Sequence, residues 1–257
     1  MNVKHLELDF GKMFYYLSGT GKTIVFLHGW GQSSDAFKKI IPHFENDYAV
    51  LRIDLPGFGM SSDPLYPLSL DDYVEGVRKL FAELKLDNPI IIAHSFGGRI
   101  GIRYASKYPL SALILVSSAG IRKRSLFRFL KIYFYKVKKL IFKIISKAKY
   151  QKLIKNSGSR DFRLASPVMK WTLSKVIAED LRRDLKNVNA KTYLFWGIHD
   201  QETPYEDAIL MKKLLLDAKL IPFYESGHFC YLDEERKFIK TLKNILLEED
   251  LWKHSRT

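Results

Sequence analysis

The stretch IIIAHSFGGR at residues 90–99 decides the fold of this chain. An apolar run leads through one small residue, Ala93, and His94 to Ser95, and a glycine-rich helical pattern follows. A buried strand that turns sharply into a helix holds a serine exposed above a sheet, and small neighbours allow so tight a turn. We therefore predict that Ser95 is a nucleophile. The alternative is a serine that caps a helix in a glycine-rich turn.

Strands and helices alternate on both sides of this turn. Strands are predicted at residues 3–10, 13–17, 23–27, 48–53, 89–93, 113–116, 191–196 and 220–224, and helices at 69–84, 96–107, 204–216 and 233–247. Such alternation implies a mostly parallel central sheet of about eight strands, flanked by helices on both faces, in an α/β fold.

The alternation breaks after the sixth strand. Residues 121–185 are helical in pattern and contain no predicted strand. The simplest explanation is a helical cap, or lid, inserted at this point. The α/β core would then consist of residues 1–120 and 186–257.

The predicted cap carries the charge of the chain. The net charge is +14, and thirteen Lys or Arg residues with no Asp or Glu lie between Arg122 and Lys155. From Leu126 to Ala148 apolar residues recur at helical spacing, which indicates a basic amphipathic helix or pair of helices. This cap either covers the site with its charges in water, or makes weak contact with an anionic membrane surface or an acidic partner. No nucleic-acid partner is expected, because no binding motif accompanies the stripe.

A serine nucleophile needs a general base and a carboxylate that orients the base. His228 follows the last predicted strand, at the carboxyl edge of the sheet, where the sites of α/β folds lie. Asp200 follows the preceding strand and is the candidate acid, with Glu202 as its rival. The backbone N–H groups of Trp30, in HGWG after a strand, and of Phe96 are the candidate oxyanion donors.

The order Ser, Asp, His along an alternating chain resembles that of the α/β-hydrolase superfamily, in particular its lidded serine esterase-like branch. The resemblance rests on HGWG at 28–31, DLPGFGMS at 54–61, HSFGG at 94–98, WGIHD at 196–200 and GH at 227–228. It covers about residues 3–120 and 191–247, and the cap adds no diagnostic motif. It implies that the segment containing Asp54 is a structural loop.

The resemblance implies a hydrolase that cleaves a small-molecule carboxylic ester through an acyl-enzyme. The same residues could instead serve carbon–carbon bond hydrolysis, lactone hydrolysis or a lyase reaction, and Arg99 is compatible with an anionic substrate. A third class is a receptor-like binding protein with little turnover. The motifs define neither the acyl chain, nor the alcohol, nor the oligomeric state, because one fold hosts many chemistries.

No metal or organic cofactor is expected for this chemistry. Cys230 is the only cysteine, so no internal disulfide can form, and it is interpreted as a small buried residue. No apolar run reaches the roughly 18 residues of a membrane span, and the first residues do not have the pattern of a secretory signal. We expect a cytoplasmic protein, peripheral to the membrane if the cap contacts lipid.

Overall fold

The computed structural model describes residues 2–122 and 160–254, together with positions 138, 142, 145, 146 and 151. Within these residues the chain forms an eight-stranded sheet in the order β1-β2-β4-β3-β5-β6-β7-β8. The strands are β1 (Asn2–Leu8), β2 (Gly11–Ser18), β3 (Thr23–Leu27), β4 (Ala49–Ile53), β5 (Ile90–His94), β6 (Ala112–Val116), β7 (Thr192–Gly197) and β8 (Ala218–Phe223).

The first strands are antiparallel and the others are parallel. β1 and β2 form the predicted hairpin, and β2 pairs antiparallel with β4. From β4 to β8 every neighbouring pair is parallel. This confirms the predicted α/β fold with a mostly parallel sheet of eight strands.

Helices follow most of the parallel strands. In the described ranges they are α1 (Leu70–Glu83), α2 (Phe96–Ala105), α3 (Arg160–Leu164), α4 (Pro167–Ala178), α5 (Arg182–Lys186), α6 (Tyr205–Leu214), α7 (Cys230–Asp233) and α8 (Glu235–His254). α1 begins at a capping box, in which Ser69 Oγ accepts from the Asp72 N–H and the Asp72 carboxylate accepts from the Ser69 N–H. None of the described helices is both long and apolar enough to cross a membrane.

The central strands of the sheet, β3 to β7, are buried on both faces. Val25 and Leu27 of β3 belong to an apolar cluster with residues of α1 and α2, whereas Ile24 and Phe26 belong to a second cluster with Phe238 of α8. Because successive side chains of a strand point to opposite faces, one strand supplies both clusters. Because side chains cover both faces, a binding or active site is expected at the carboxyl edge of the parallel strands.

The segment inserted after β6 contains the helices α3, α4 and α5 among its described residues, which agrees with the predicted helical cap. It is held to the core by polar contacts: the Leu68 N–H donates to Thr172 Oγ1 at 3.0 Å, and Lys175 Nζ donates to the Pro67 carbonyl at 2.6 Å. The basic amphipathic stretch predicted from Leu126 to Ala148 lies outside the described residues, apart from positions 138, 142, 145 and 146.

Candidate active site

Ser95 occupies the turn between β5 and α2. Its φ of +49° lies in a region that residues other than glycine rarely adopt, and such strain is typical of functional turns. Three backbone hydrogen bonds hold it there: the Ser95 N–H donates to the Val116 carbonyl (3.1 Å), and the Ser95 carbonyl accepts from the N–H groups of Gly98 (3.1 Å) and Ala119 (3.0 Å). A side chain at Gly97 would collide with the carbonyl of Leu27. The small residues of the motif are thus required by close backbone approach.

Asp200 and His228 lie in contact at the ends of the neighbouring strands β7 and β8. His228 Nδ1 lies 2.9 Å from Asp200 Oδ2. The Asp200 side chain is fully buried, and that of His228 is 14% exposed. Glu202, the rival acid in the sequence, is exposed and donates its backbone N–H to Asp200 Oδ1 at 2.9 Å. The geometry therefore favours Asp200 as the partner of the imidazole.

Thr203 contacts Asp200 at this site, a contact that the sequence analysis missed. Its Oγ1 donates to Asp200 Oδ2 at 2.8 Å, and its N–H donates to Asp200 Oδ1 at 2.9 Å. Burial raises the pKa of Asp200, but the hydrogen bonds from His228 and Thr203 outweigh it and lower that pKa below the usual value. Asp200 is thus kept ionised. Thr203 directly precedes Pro204, but its sequence position alone does not indicate this contact.

The loops that carry Asp200 and His228 are joined by their backbones. The His199 N–H donates to the Ser226 carbonyl at 3.0 Å, and a side chain at Gly197 would collide with the carbonyl of Gly227. The Gly227 N–H donates in turn to the Asp233 carboxylate at 3.0 Å. These contacts fix the position of His228 relative to β7.

Trp30 lies in a tight turn after β3. The Gln32 N–H donates to the Gly29 carbonyl at 3.2 Å, and Gly31 has a φ of +73°, which the third residue of a type II turn requires. The rings of Trp30 and Phe96 pack edge to face with centroids 5.2 Å apart. Among the described residues, no group accepts a hydrogen bond from the backbone N–H of either residue. Both N–H groups are thus available as donors.

Two buried histidines lie beside these loops. His28 Nε2 accepts from the Leu55 N–H at 3.0 Å, so its proton is on Nδ1, 2.8 Å from the Gly29 carbonyl. Burial lowers the pKa of His28 to about 4. His94 lies with its ring centroid 4.8 Å from that of His228, and burial, followed by the charge of His228, lowers its pKa to about 3. Both imidazoles are therefore neutral at physiological pH.

Three further residues from the sequence analysis have structural surroundings. Asp54 is buried and accepts hydrogen bonds from the N–H groups of Ser34 (2.7 Å) and Met60 (2.8 Å), as expected for a structural loop. Cys230 is fully buried, which raises the pKa of its thiol and leaves it inert. Arg99 is buried, and its guanidinium donates to the carbonyls of Val176 and Glu179 at the end of α4 (3.1 Å each), so its described contacts do not support a role in binding an anionic substrate.

A cavity of about 520 Å³ lies between the Trp30 turn and the cap. Asp63 and Ser166 supply the polar side chains of its described lining, which consists of Trp30, Gly31, Gly57, Phe58, Asp63, Leu164, Ala165, Ser166 and Met169. Met169 of α4 packs directly against Gly57. Among the described residues, no cluster of His, Cys, Asp or Glu is suited to hold a metal ion.

Several known proteins are similar to this chain in sequence or in fold. The chain is 25% identical to a pimeloyl-[acyl-carrier protein] methyl ester esterase of Legionella pneumophila (89% of this chain, 96% of the relative). It is 21% identical to a 2-hydroxy-6-oxo-2,4-heptadienoate hydrolase of Pseudomonas putida (90% and 91%). Its structure resembles that of an esterase from Exiguobacterium antarcticum with a TM-score of 0.73 and 23% identity (94% and 98%), a likeness that shows the fold alone.

The family of the chain is shown by its match to a family model. Residues 22–175 match the family model described as alpha/beta hydrolase fold, which is more than half of the chain. This match begins just before β3 and ends within α4, so it includes the Ser95 turn and the start of the cap. The chain belongs to the α/β-hydrolase family.

Proposed function

We propose that this chain hydrolyses carboxylic esters through an acyl-enzyme on Ser95, with His228 as the general base and Asp200 as the orienting acid. The observation that carries the proposal is the 2.9 Å contact between His228 Nδ1 and Asp200 Oδ2, made at the sheet edge where the strained Ser95 turn also lies. The esterase among the relatives supports the same chemistry.

In this mechanism His228 Nε2 takes the proton of Ser95 Oγ as the oxygen attacks the ester carbonyl. The negative charge that develops on the carbonyl oxygen is stabilised by the backbone N–H groups of Trp30 and Phe96. Asp200 keeps the imidazole in the tautomer with its proton on Nδ1 and stabilises the imidazolium. His228 then donates its proton to the departing alcohol. Water, deprotonated by His228, then attacks the acyl carbonyl. The bond from this carbon to Ser95 Oγ breaks, His228 returns the proton to Ser95 Oγ, and the acid is released.

The cavity beside Trp30 suits one arm of a neutral ester. Its described lining combines aromatic and aliphatic surface with a single ionisable side chain, Asp63. A carboxylate placed in it would lie near this acidic group, without a basic side chain among the described lining residues to balance it.

Carbon–carbon bond hydrolysis is the second candidate, favoured by the similarity to the heptadienoate hydrolase. The named substrate of that relative is a carboxylate, for which the described lining offers no cation. We therefore rank ester hydrolysis first. A receptor-like role without turnover is the remaining alternative, and it predicts binding of ligands without consumption.

The test is a panel of p-nitrophenyl esters of graded acyl length, together with labelling by a fluorophosphonate. Wild type is expected to be labelled and to turn over esters. Ser95→Ala or His228→Ala should lower kcat on the order of a million-fold, and Asp200→Asn about ten-thousand-fold. Ser106→Ala removes a serine hydroxyl that hydrogen bonds to the Arg103 carbonyl on α2, and it is the matched control.

Several outcomes would contradict the proposal. Wild-type chain that is neither labelled nor active on any ester would exclude it, whereas labelling without turnover would support the receptor-like alternative. Faster cleavage of a carboxylate-bearing diketone than of every ester would favour the carbon–carbon reaction. If Asp200→Asn kept its activity while Glu202→Gln lost it, the acid would be Glu202.

A further inference from the structure

A hydrogen-bonded network connects the three loops that the proposed function uses. It consists of the side chains of Gln32, His94 and Tyr231 and the backbone of Gly29 and His228. Gly29 and Gln32 follow β3, His94 ends β5, and His228 and Tyr231 lie in the loop and the helix α7 that follow β8. The side chains of Gln32, His94 and Tyr231 have no part in the proton transfers described above, yet those of His94 and Tyr231 are almost fully buried.

Gln32 closes the turn that contains Trp30. Its backbone N–H donates to the Gly29 carbonyl (3.2 Å), and its side-chain Oε1 accepts from the Gly29 N–H (2.9 Å). Gln32 Nε2 donates to the hydroxyl of Tyr231 at 3.2 Å. These partners determine the orientation of the amide, because the opposite orientation would place two donors face to face at Gly29.

His94 extends the network from this turn to the base. Its Nδ1 lies 3.0 Å from Gln32 Oε1, and its Nε2 lies 3.0 Å from the backbone carbonyl of His228. Carbonyl oxygens only accept, and a neutral imidazole has one N–H, so it donates to one of these oxygens at a time. His94 therefore joins the two loops through one hydrogen bond and one packed contact, with its ring held against Phe229 and Tyr231.

The approach of these groups leaves no space at Gly29. A Cβ at this position would lie 2.6 Å from Gln32 Oε1 and 2.9 Å from His94 Nδ1. The glycine before Trp30 is thus explained by the network as well as by the turn. The direction of the Trp30 N–H depends on the turn from Gly29 to Gln32. Gln32 closes this turn with its backbone N–H and with its side-chain Oε1, both of which hydrogen bond to Gly29.

We infer that Gln32 and His94 are positioning residues, which hold the Trp30 turn and the His228 backbone in the relative placement that the transition state requires. This inference rests on the proposed function. It differs from the triad assignment in that neither residue touches the reacting atoms. Gln32 and His94 should therefore contribute to the stabilisation of the transition state, in which the oxyanion forms. They should contribute little to the affinity for the ground-state ester.

The test is Gln32→Met, which keeps the length of the side chain and removes its polar atoms. Loss of an oxyanion donor costs about 100- to 1000-fold in kcat, and a donor that is only misplaced should cost about 10- to 100-fold. KM should remain close to that of wild type. The affinity for a trifluoromethyl ketone, which mimics the tetrahedral intermediate, should fall in parallel with kcat/KM.

A double-mutant cycle tests whether the two residues act together. His94→Phe keeps a ring among Phe229 and Tyr231 but cannot hydrogen bond. If Gln32 acts through His94, the double variant should lose about as much activity as the more severe single variant, since effects within one network are not additive. Ser69→Ala, which removes the cap of α1, is the control for a lower Tm without a change in kcat.

The outcomes separate this inference from the proposed function. Absence of labelling and of turnover in wild type would refute the proposed function. An active wild type with Gln32→Met equal to it in kcat and in ketone affinity would refute the positioning role alone. A purely structural role would give a lower Tm with unchanged kcat, as in Ser69→Ala, and would also refute it.

Discussion

Acidification should destabilise the fold because two histidines are buried in the neutral state. Burial lowers the pKa of His28 to about 4 and that of His94 to about 3, from an ordinary value of 6.5. Above pH 6.5 neither the folded nor the unfolded chain binds protons at these sites. As the pH falls below 6.5, the unfolded chain takes up protons that the folded chain does not, so folding stability decreases until the pH reaches the folded pKa values.

The magnitude follows from the distance between the pH and the unfolded pKa. One pH unit corresponds to about 1.4 kcal/mol for each histidine, so the 1.5 units between pH 6.5 and pH 5 correspond to about 2 kcal/mol each. Together His28 and His94 should lower the free energy of unfolding by about 4 kcal/mol between pH 7.5 and pH 5. This is a large part of the 5–15 kcal/mol that is typical of a folded domain.

Urea denaturation at pH 5, 6 and 7.5 measures this loss. His94→Phe should reduce the loss to about 2 kcal/mol, because His28 is then the one that remains of the two buried, neutral histidines. The comparison uses the change with pH, since the substitution itself alters the stability at every pH. His43→Gln, which replaces an exposed histidine, is the matched control for the substitution of a histidine. If His94→Phe lost as much as wild type, the assignment of a buried neutral imidazole at His94 would be wrong.

Two further predictions concern the cap. Arg99 donates to the carbonyls of Val176 and Glu179 at 3.1 Å, so Arg99→Met should lower the free energy of unfolding by about 2–3 kcal/mol and leave the relative rates on neutral and carboxylate-bearing esters unchanged. A selective loss on the carboxylate-bearing esters would show instead that Arg99 contacts substrate. Vesicles with anionic lipid should bind the chain more than neutral vesicles, with each basic residue near the surface contributing about 1 kcal/mol, and salt should weaken the binding. Co-sedimentation should show this, and a variant with Gln at positions 131, 138, 139 and 143 should bind less. Equal binding to both kinds of vesicle would contradict a charge-driven contact. The exposed ring of Trp171 on α4 (68% exposed) lies on the same inserted segment.

The local features of the fold could be predicted from the sequence. The strand-to-helix turn at Ser95, the hairpin at Gly11 and the cap of α1 at Ser69 all depend on residues within a few positions of one another. Apolar periodicity and turn chemistry act at this range, which is why the ends of the eight predicted strands lie within two residues of the observed ones. The final helix, predicted at 233–247, corresponds to α8 (Glu235–His254), and the short helix α7 (Cys230–Asp233) before it was not predicted.

The candidate site could be predicted only in part. We predicted Ser95, Asp200 and His228 from the sequence because each follows a strand, and parallel strands end at one edge of a sheet. The contact of Asp200 with His228, and the exposure of Glu202, required the structure. The catalytic roles of these residues remain predictions that the variants above will test.

By itself, the sequence determined which segments are strands and helices and which residues reach the carboxyl edge of the sheet, because those properties are set by neighbours along the chain. Only the tertiary structure decided that Gln32, His94 and the His228 carbonyl meet, and that Arg99 caps α4. Gln32 and His94 are 62 positions apart, and His94 and His228 are 134 apart. Contacts at such separations depend on strand order and packing, and no local pattern of residues encodes them.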